Sequence, residues 1–467
     1  NDFNTISFCN VHGTTTTTPA IAISARGENS TVESYNDGNI ITDNNIYDFF
    51  RPGSLSVGLK TDAGNNAWIV TNNSFYQTAS RTTTASNTHR AIWITPNTAS
   101  IANTASGFVV NGNYIGGSAP LAAGTPWTMT GSFANVLNAM DISVGLGTPT
   151  NVQGNVIRNI AVSTTSGAGF IGISQANGHV NITNNTIGSQ TGTDDIVITT
   201  TATGGGTVIG YRSGGGTGAQ VKIMDNTIGG ITTVGTGTLG VNIQGVAVVG
   251  AANITVENNI IGSPTVANSI HASAATTGNT QTVTGIIASA GTATTINNNT
   301  IANLTNGYTG TSTGQTRGIV VSSSATTITN NTMFNFSNAN AGTGSGASSA
   351  IVGIAMTSTN AAGAVVAGNK MHSFTLTGSS TSAAVKITGI FFSGATTAAS
   401  VIDRNLIHSF DVTAANNNAM LTGIDYATGI ATISNNMIRL GIRPDGTSVT
   451  TGLVVRGISS NSSTGLN

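Results

Sequence analysis

The sequence predicts an all-β solenoid of about 13 coils, three short strands to a coil, with like strands of successive coils stacked into parallel sheets. Two observations carry this expectation. A six-residue phrase, Ile/Val-x-x-Asn-x-Ile/Met/Phe, recurs along the 467 residues, with its asparagine at Asn4, Asn44, Asn73, Asn113, Asn155, Asn185, Asn226, Asn259, Asn299, Asn331, Asn369, Asn405 and Asn436. The mean spacing is about 36 residues, and a fixed period of that size marks stacked units that cannot bury their apolar faces alone. The segments between asparagines are short and β-branched, alternate apolar with polar, and are punctuated by Gly, Ser and Asn. That is the pattern of half-buried strands, not of amphipathic helices.

Residues 317–336 show one unit. Gly318-Ile319-Val320-Val321 is a first strand, three serines turn the chain, Ala325 to Thr329 is a second strand, Asn330-Asn331 turn it again, and Thr332 to Phe336 is a third. A Gly-Ile pair stands 13 to 16 residues before the asparagine in other copies, at Gly172, Gly285, Gly353, Gly389 and Gly423. Length varies mainly after the third strand, as in residues 338–346, which places variable loops along one edge. Residues 47–127 follow the pattern least. They are expected to hold loop insertions within a single solenoid domain spanning 1–467, and they contain all three tryptophans, Trp68, Trp93 and Trp127.

The repeated asparagine has two structural uses. Asn tolerates the left-handed backbone that a sharp bend needs, and its amide can bond the same amide one coil away, forming a ladder. Twelve coil steps at the strand spacing of ~4.8 Å give a rod roughly 58 Å long. The aliphatic residues flanking each asparagine aim it at the core, which argues against a row of sugar-binding amides.

Composition excludes several functions. Charged residues make up 7% of the chain and the net charge is −1, so there is no basic stripe for nucleic acid and none for an anionic membrane. No apolar run reaches the ~18 residues of a spanning helix. The single cysteine, Cys9, precludes an intrachain disulfide. It stands five after Asn4, where later copies carry Phe49, Ile160 and Phe336, and is expected to be a small buried residue. The chain opens and closes within repeats and shows no signal peptide, as expected of a segment of a longer protein.

With phrases such as Thr295-Ile-Asn-Asn-Asn-Thr-Ile-Ala-Asn-Leu304 and Thr327-Ile-Thr-Asn-Asn-Thr-Met-Phe-Asn-Phe336, the chain resembles right-handed parallel β-helix repeat regions of large secreted surface proteins of the Bacteroidetes type. The resemblance covers nearly the whole chain, most cleanly residues 151–436. It implies export by the type IX pathway, a bacterial cell-surface or extracellular location, and a role in adhesion or surface structure.

Many β-helix proteins cleave polysaccharides, so catalytic constellations matter. Glycoside hydrolysis generally needs two carboxylates at a set separation. Asp194-Asp195 is the only adjacent acidic pair, with His179 nearby in sequence. The order His-before-Asp, Val180 after His179 and the lack of a following Arg-x-Lys depart from the polygalacturonase pattern, and the pair reads as a solvated loop. His372 and His408 share a phase and are expected to stack on neighbouring coils; two imidazoles without a third ligand make no metal site. No cofactor is implied.

The sequence therefore leads to a non-enzymatic structural or adhesive segment, a rigid spacer whose edge loops or ends contact other surface proteins, glycans or another copy of itself, with filaments as one outcome. The alternatives are a polysaccharide-degrading enzyme using Asp194, Asp195 and His179, and a glycan-binding module using Trp68, Trp93 or Trp127.

Overall fold

A computed structural model describes residues 2–14, 17–28, 34–95, 105–165, 168–201, 206–235, 240–273, 280–309, 314–322, 325–358, 363–378, 384–413, 418–449 and 453–460. The chain forms a parallel β-solenoid with three faces. One face, the ladder sheet, has 13 strands running from Thr5–Ser7 through Ile40–Thr42 and Val180–Thr183 to Ile430–Ser434. A second, the glycine sheet, also has 13 strands, from Ile21–Ala25 through Phe170–Asn177 to Val454–Ser460. The third follows the asparagine corner and is bent. Strands such as Thr186–Gly188 form one strip of it, strands such as Ile196–Thr200 form another, and Thr332–Asn338 and Lys370–Leu376 run through both. Every coil hydrogen-bonds the next in parallel register, for example Val180↔Val221 and Ile182↔Ile223.

The corners show how sequence becomes shape. The residue in the left-handed region is not the ladder asparagine but the one before it: Asp43, Asn72, Gly112, Asn184, Asp225, Asn258, Asn298, Asn330, Arg404 and Asn435 have φ between +52 and +65. Left-handed backbone favours Gly, Asn and Asp, which accounts for the frequent Asn-Asn and Asp-Asn pairs. The expectation that the repeated Asn itself supplies the bend is thus displaced by one residue. A second left-handed corner falls four residues after the ladder position, at Asp48, Asn159, Gly230, Asn303, Asn335, Ser373 and Ser409.

Two further expectations are corrected at the first coil. Thr5–Ser7 pairs with Ile40–Thr42 and Asn10–His12 with Asn45–Tyr47, so Asn4 stands over Asn39, to whose Oδ1 it donates from both N and Nδ2 at 2.9 and 3.0 Å. The residue aligned with Asn44 is Cys9, whose backbone N donates to Asn44 Oδ1 at 2.9 Å. The first copy of the phrase is therefore Ile6-x-x-Cys9-x-Val11, with cysteine replacing asparagine. Asn4-x-Ile6 mimicked it five residues early because Ile6 fills the aliphatic place three before the corner. Cys9 is exposed, not buried.

The Gly-Ile motif also acquires a cause. The glycines stack in one column of the glycine sheet, with Ala91 and Ala139 standing in at two coils between Gly58 and Gly172. A Cβ on Gly172 would lie 2.5 Å from Ile187 and 2.6 Å from the carbonyl of Gly210; one on Gly285 would meet Ile301 at 2.6 Å; one on Gly353 would meet Met371 at 2.6 Å. Ile187, Ile301 and Met371 are the residues two after a ladder asparagine. The side chain that follows the ladder crosses the core onto a backbone left bare to receive it, which couples two motifs far apart in the repeat.

One continuous apolar cluster runs from Ile41 to Ala431. Within it Phe336, Phe374 and Phe410 stack at centroid distances of 4.6 and 4.9 Å. No helix among the described residues is long and apolar enough to cross a membrane.

Candidate functional site

The ladder is the most regular chemical feature. From Asn44 to Asn436, each Nδ2 donates to the Oδ1 of the next asparagine at 2.8–3.0 Å. The backbone N of each donates to that same oxygen, as from Asn155 to Asn185 at 2.9 Å. The second Nδ2 hydrogen goes to the carbonyl of the aliphatic residue one coil back, as from Asn155 to Val110 at 2.9 Å. Asn44 through Asn405 are buried. Each amide is fully bonded inside a low-dielectric core, where polar networks strengthen one another only when every member is satisfied. These side chains offer nothing to a ligand.

Asp194, Asp195 and His179 do not form a constellation. His179 lies just before the ladder-sheet strand Val180–Thr183 and accepts a hydrogen bond at Nδ1 from the backbone N of Gln220 at 2.9 Å. Asp194 and Asp195 lie just before Ile196–Thr200 in the bent sheet. Asp194 is exposed, has φ 59, and accepts from Thr193 Oγ1 at 3.1 Å. Asp195 is half-buried over the Asn159 corner and accepts from its backbone N at 3.3 Å; burial raises its carboxyl above the ordinary range, with that hydrogen bond and Arg158 opposing. Both acids are thus corner residues. The charge of Asp194 also reaches His271, whose pKa burial nevertheless lowers.

The tryptophans divide. Trp68, 6% exposed, donates Nε1 to the carbonyl of Asn36 at 2.8 Å. Trp127, 2% exposed, meets Phe49 edge-on with centroids 5.6 Å apart. Their indoles belong to the core. Trp93 faces outward from the glycine sheet, half-buried between Lys60, 4.6 Å from the ring centre, and Arg90, 4.1 Å from it. Those cations are held by Asp62 at 2.9 Å and Asp141 at 2.7 Å.

His372 and His408 stack as expected, centroids 5.0 Å apart, and Phe334 extends the column at 5.2 Å. Each Nδ1 is hydrogen-bonded to the hydroxyl of the next serine, Ser373 at 3.0 Å and Ser409 at 2.8 Å. Burial, with Lys370 adding to it, pushes His372 down to about 4 and lowers His408 as well. A matching stack, His12–Tyr47–Tyr76, occupies the same register position near the other end, at 4.5 and 4.7 Å. Among the described residues no three His, Cys, Asp or Glu side chains gather as a metal site would require.

Sequence reasoning missed the buried amides of the remaining corner. Gln281 donates to Asn306 Oδ1 at 2.9 Å, and Asn306 returns a bond to the carbonyl of Gln281 at 2.8 Å. Asn338 donates to the carbonyls of Gly314 and Ala350 at 3.1 and 2.6 Å. Only their occurrence next to variable loops hinted at this role. Comparisons with protein-family models, with curated proteins and with solved structures matched nothing.

Proposed function

We propose that the chain is a non-enzymatic, stiff spacer within a bacterial cell-surface or extracellular protein, holding adhesive loops or neighbouring modules apart. The observation that carries this reading is the unbroken series of asparagine bonds from Asn44 to Asn436 inside one continuous core. Each coil contacts its neighbours through backbone ladders, a buried amide and stacked apolar columns, so bending at any one coil requires breaking several cooperative contacts. Low charge with a Thr-, Ser- and Asn-rich surface fits an exterior protein read by its hydroxyls and amides. The resemblance to secreted surface repeats supports the same location. Among the described residues, apolar side chains are exposed on the first and last rungs, Phe3 and Phe8 on one and Met437 and Ile458 on the other, and apolar surface of this kind suits contact with another module.

Small-angle scattering of the purified chain tests the spacer: an elongated particle with a solenoid axis of ~58 Å or more supports it, and a compact sphere of the same mass overturns it. Localising a tagged copy tests the surface assignment, which fails if the tag is recovered only inside the cell.

A further inference from the structure

A cavity of about 520 Å³ opens on the outer face of the glycine sheet in its last three strands, Lys386–Ser393, Met420–Thr428 and Val454–Ser460. Its floor is set by strand register. One row reads Thr388–Thr422–Arg456 and another Phe391–Asp425–Ser459, with Lys386 beside Met420 at the row's start. The loop before Ile351 forms a wall through Ser345 and Gly346. Gly346 has φ +60, and a Cβ there would lie 2.6 Å from the Phe391 ring, so glycine allows this backbone to seat against the aromatic edge. The wall is pinned by a 2.9 Å hydroxyl bond between Ser349 and Thr388. The cavity is therefore preformed.

Its chemistry is unusual for this chain. Lys386 and Arg456 both line it, and neither forms an ion pair among the described residues. Arg456 is exposed and, among the described residues, donates to Ser459 Oγ at 3.4 Å. The half-buried Asp425 makes no side-chain hydrogen bond among the described residues, and burial raises its carboxyl against the opposing pull of Arg456 and Lys386. Two cations without an ion pair among the described residues, one carboxylate they both influence, hydroxyls and an aromatic ring thus converge on one concave site of ligand size.

We propose that this cavity binds an acidic sugar residue, a uronate unit of a polysaccharide. Arg456 and Lys386 take the sugar carboxylate, the guanidinium through paired N–H donors. Asp425 accepts from ring hydroxyls, which a simple anion does not have. Phe391 supplies an apolar surface for the C–H face of the ring. The inference deepens the adhesive part of the proposed function and rests on that reading.

Calorimetric titration of the full chain with tetragalacturonate, neutral maltotetraose and sodium sulfate tests it. The expected result is tetragalacturonate binding at least tenfold tighter than maltotetraose, weakened at least tenfold by Arg456→Gln and by Lys386→Gln. Asp425→Asn separates a sugar acid from a bare anion: it weakens tetragalacturonate binding while strengthening any sulfate binding. Absence of tetragalacturonate binding overturns the proposal. So does binding that both cation substitutions leave unchanged, or binding that Asp425→Asn strengthens. Scattering from the same samples keeps the two readings apart, because a rod that binds no uronate refutes the cavity alone.

Discussion

The N-terminal coils and the middle coils solve the same packing problem with different chemistry. Between Asp48 and Asp141 the structure uses charge. Arg81 pairs with Asp48 in the interior and donates to Gln77 Oε1 at 2.7 Å, Asp48 caps Thr78 through N and Oγ1 at 2.9 and 2.7 Å, and Arg90 and Lys60 bracket Trp93. From Ser143 to Ile402 no ion pair occurs among the described residues; amides, glycines and stacked Ile, Met and Phe do the work instead. The difference does not follow from coil length, since ladder asparagines stand 29 to 42 residues apart near the N-terminus and 30 to 41 apart in the middle; it follows from which residues meet. Where coils repeat closely, like residues meet like, and a column of identical side chains packs without charge. Around Asp48 and Arg81 unlike residues meet, and buried polar groups must find specific partners.

Breaking the charged region should have the largest single effect. Arg81→Ala leaves Asp48 buried and unpaired, a change that costs about 3–5 kcal/mol. In hydrogen exchange this opens the N-terminal coils while those beyond Asn185 keep their protection; uniform loss along the rod would dissolve the contrast between regions.

Removing one amide from the middle should come next. Asn226→Ala leaves the N and Nδ2 of Asn185 without their acceptor and the carbonyl of Ile182 without its donor, at about 3 kcal/mol in total. Chemical denaturation should show a lowered midpoint, with protection lost on both sides of the gap. An unchanged midpoint would mean the ladder is dispensable.

Acid sharpens the comparison further. His89, 2% exposed and stacked on Phe50, is held down to about 4 by burial. Its folded pKa lies below its unfolded value near 6.5, so between these pH values the unfolded chain binds more protons and stability falls as pH falls. The loss should amount to about 3 kcal/mol at full effect, centred on the N-terminal coils. His89→Gln should flatten that dependence in thermal melts from pH 7 to 4; an unaltered slope would assign it elsewhere.

The smallest effect should be a gain. Cys9→Asn restores the missing rung next to Asn44 and should stabilise the fold by under ~1 kcal/mol because the site is exposed, read as a slightly raised melting temperature. A loss would show that the first coil does not share the register of the rest.

Much of the fold was legible in sequence because its period is one-dimensional. The twelve asparagines from Asn44 onward, the inward aliphatics on either side and the stacked pair His372–His408 can all be found by counting, since residues one period apart are neighbours in space. The first coil was misread because Asn4-x-Ile6 fits a short phrase by coincidence, and only strand pairing distinguishes Asn4 from Cys9. The candidate sites were less legible. Trp68 and Trp127 are buried while Trp93 is not, and nothing in their local sequences separates them. The cavity at Phe391 and Asp425 joins three coils and a loop, and its residues lie more than 100 positions apart at the extremes, from Ser345 to Ser459.

By itself, then, the sequence determined the repeat, the three-strand coil and the buried amide ladder, because these depend on interactions between equivalent positions and the period reveals equivalence. The tertiary structure alone decided which residue takes the left-handed corner, why glycine faces the side chain that follows the ladder, and which cations gather in a shared cavity. Those depend on contacts between unlike positions on different faces of the coil, whose distances follow from how the chain bends and not from how often it repeats.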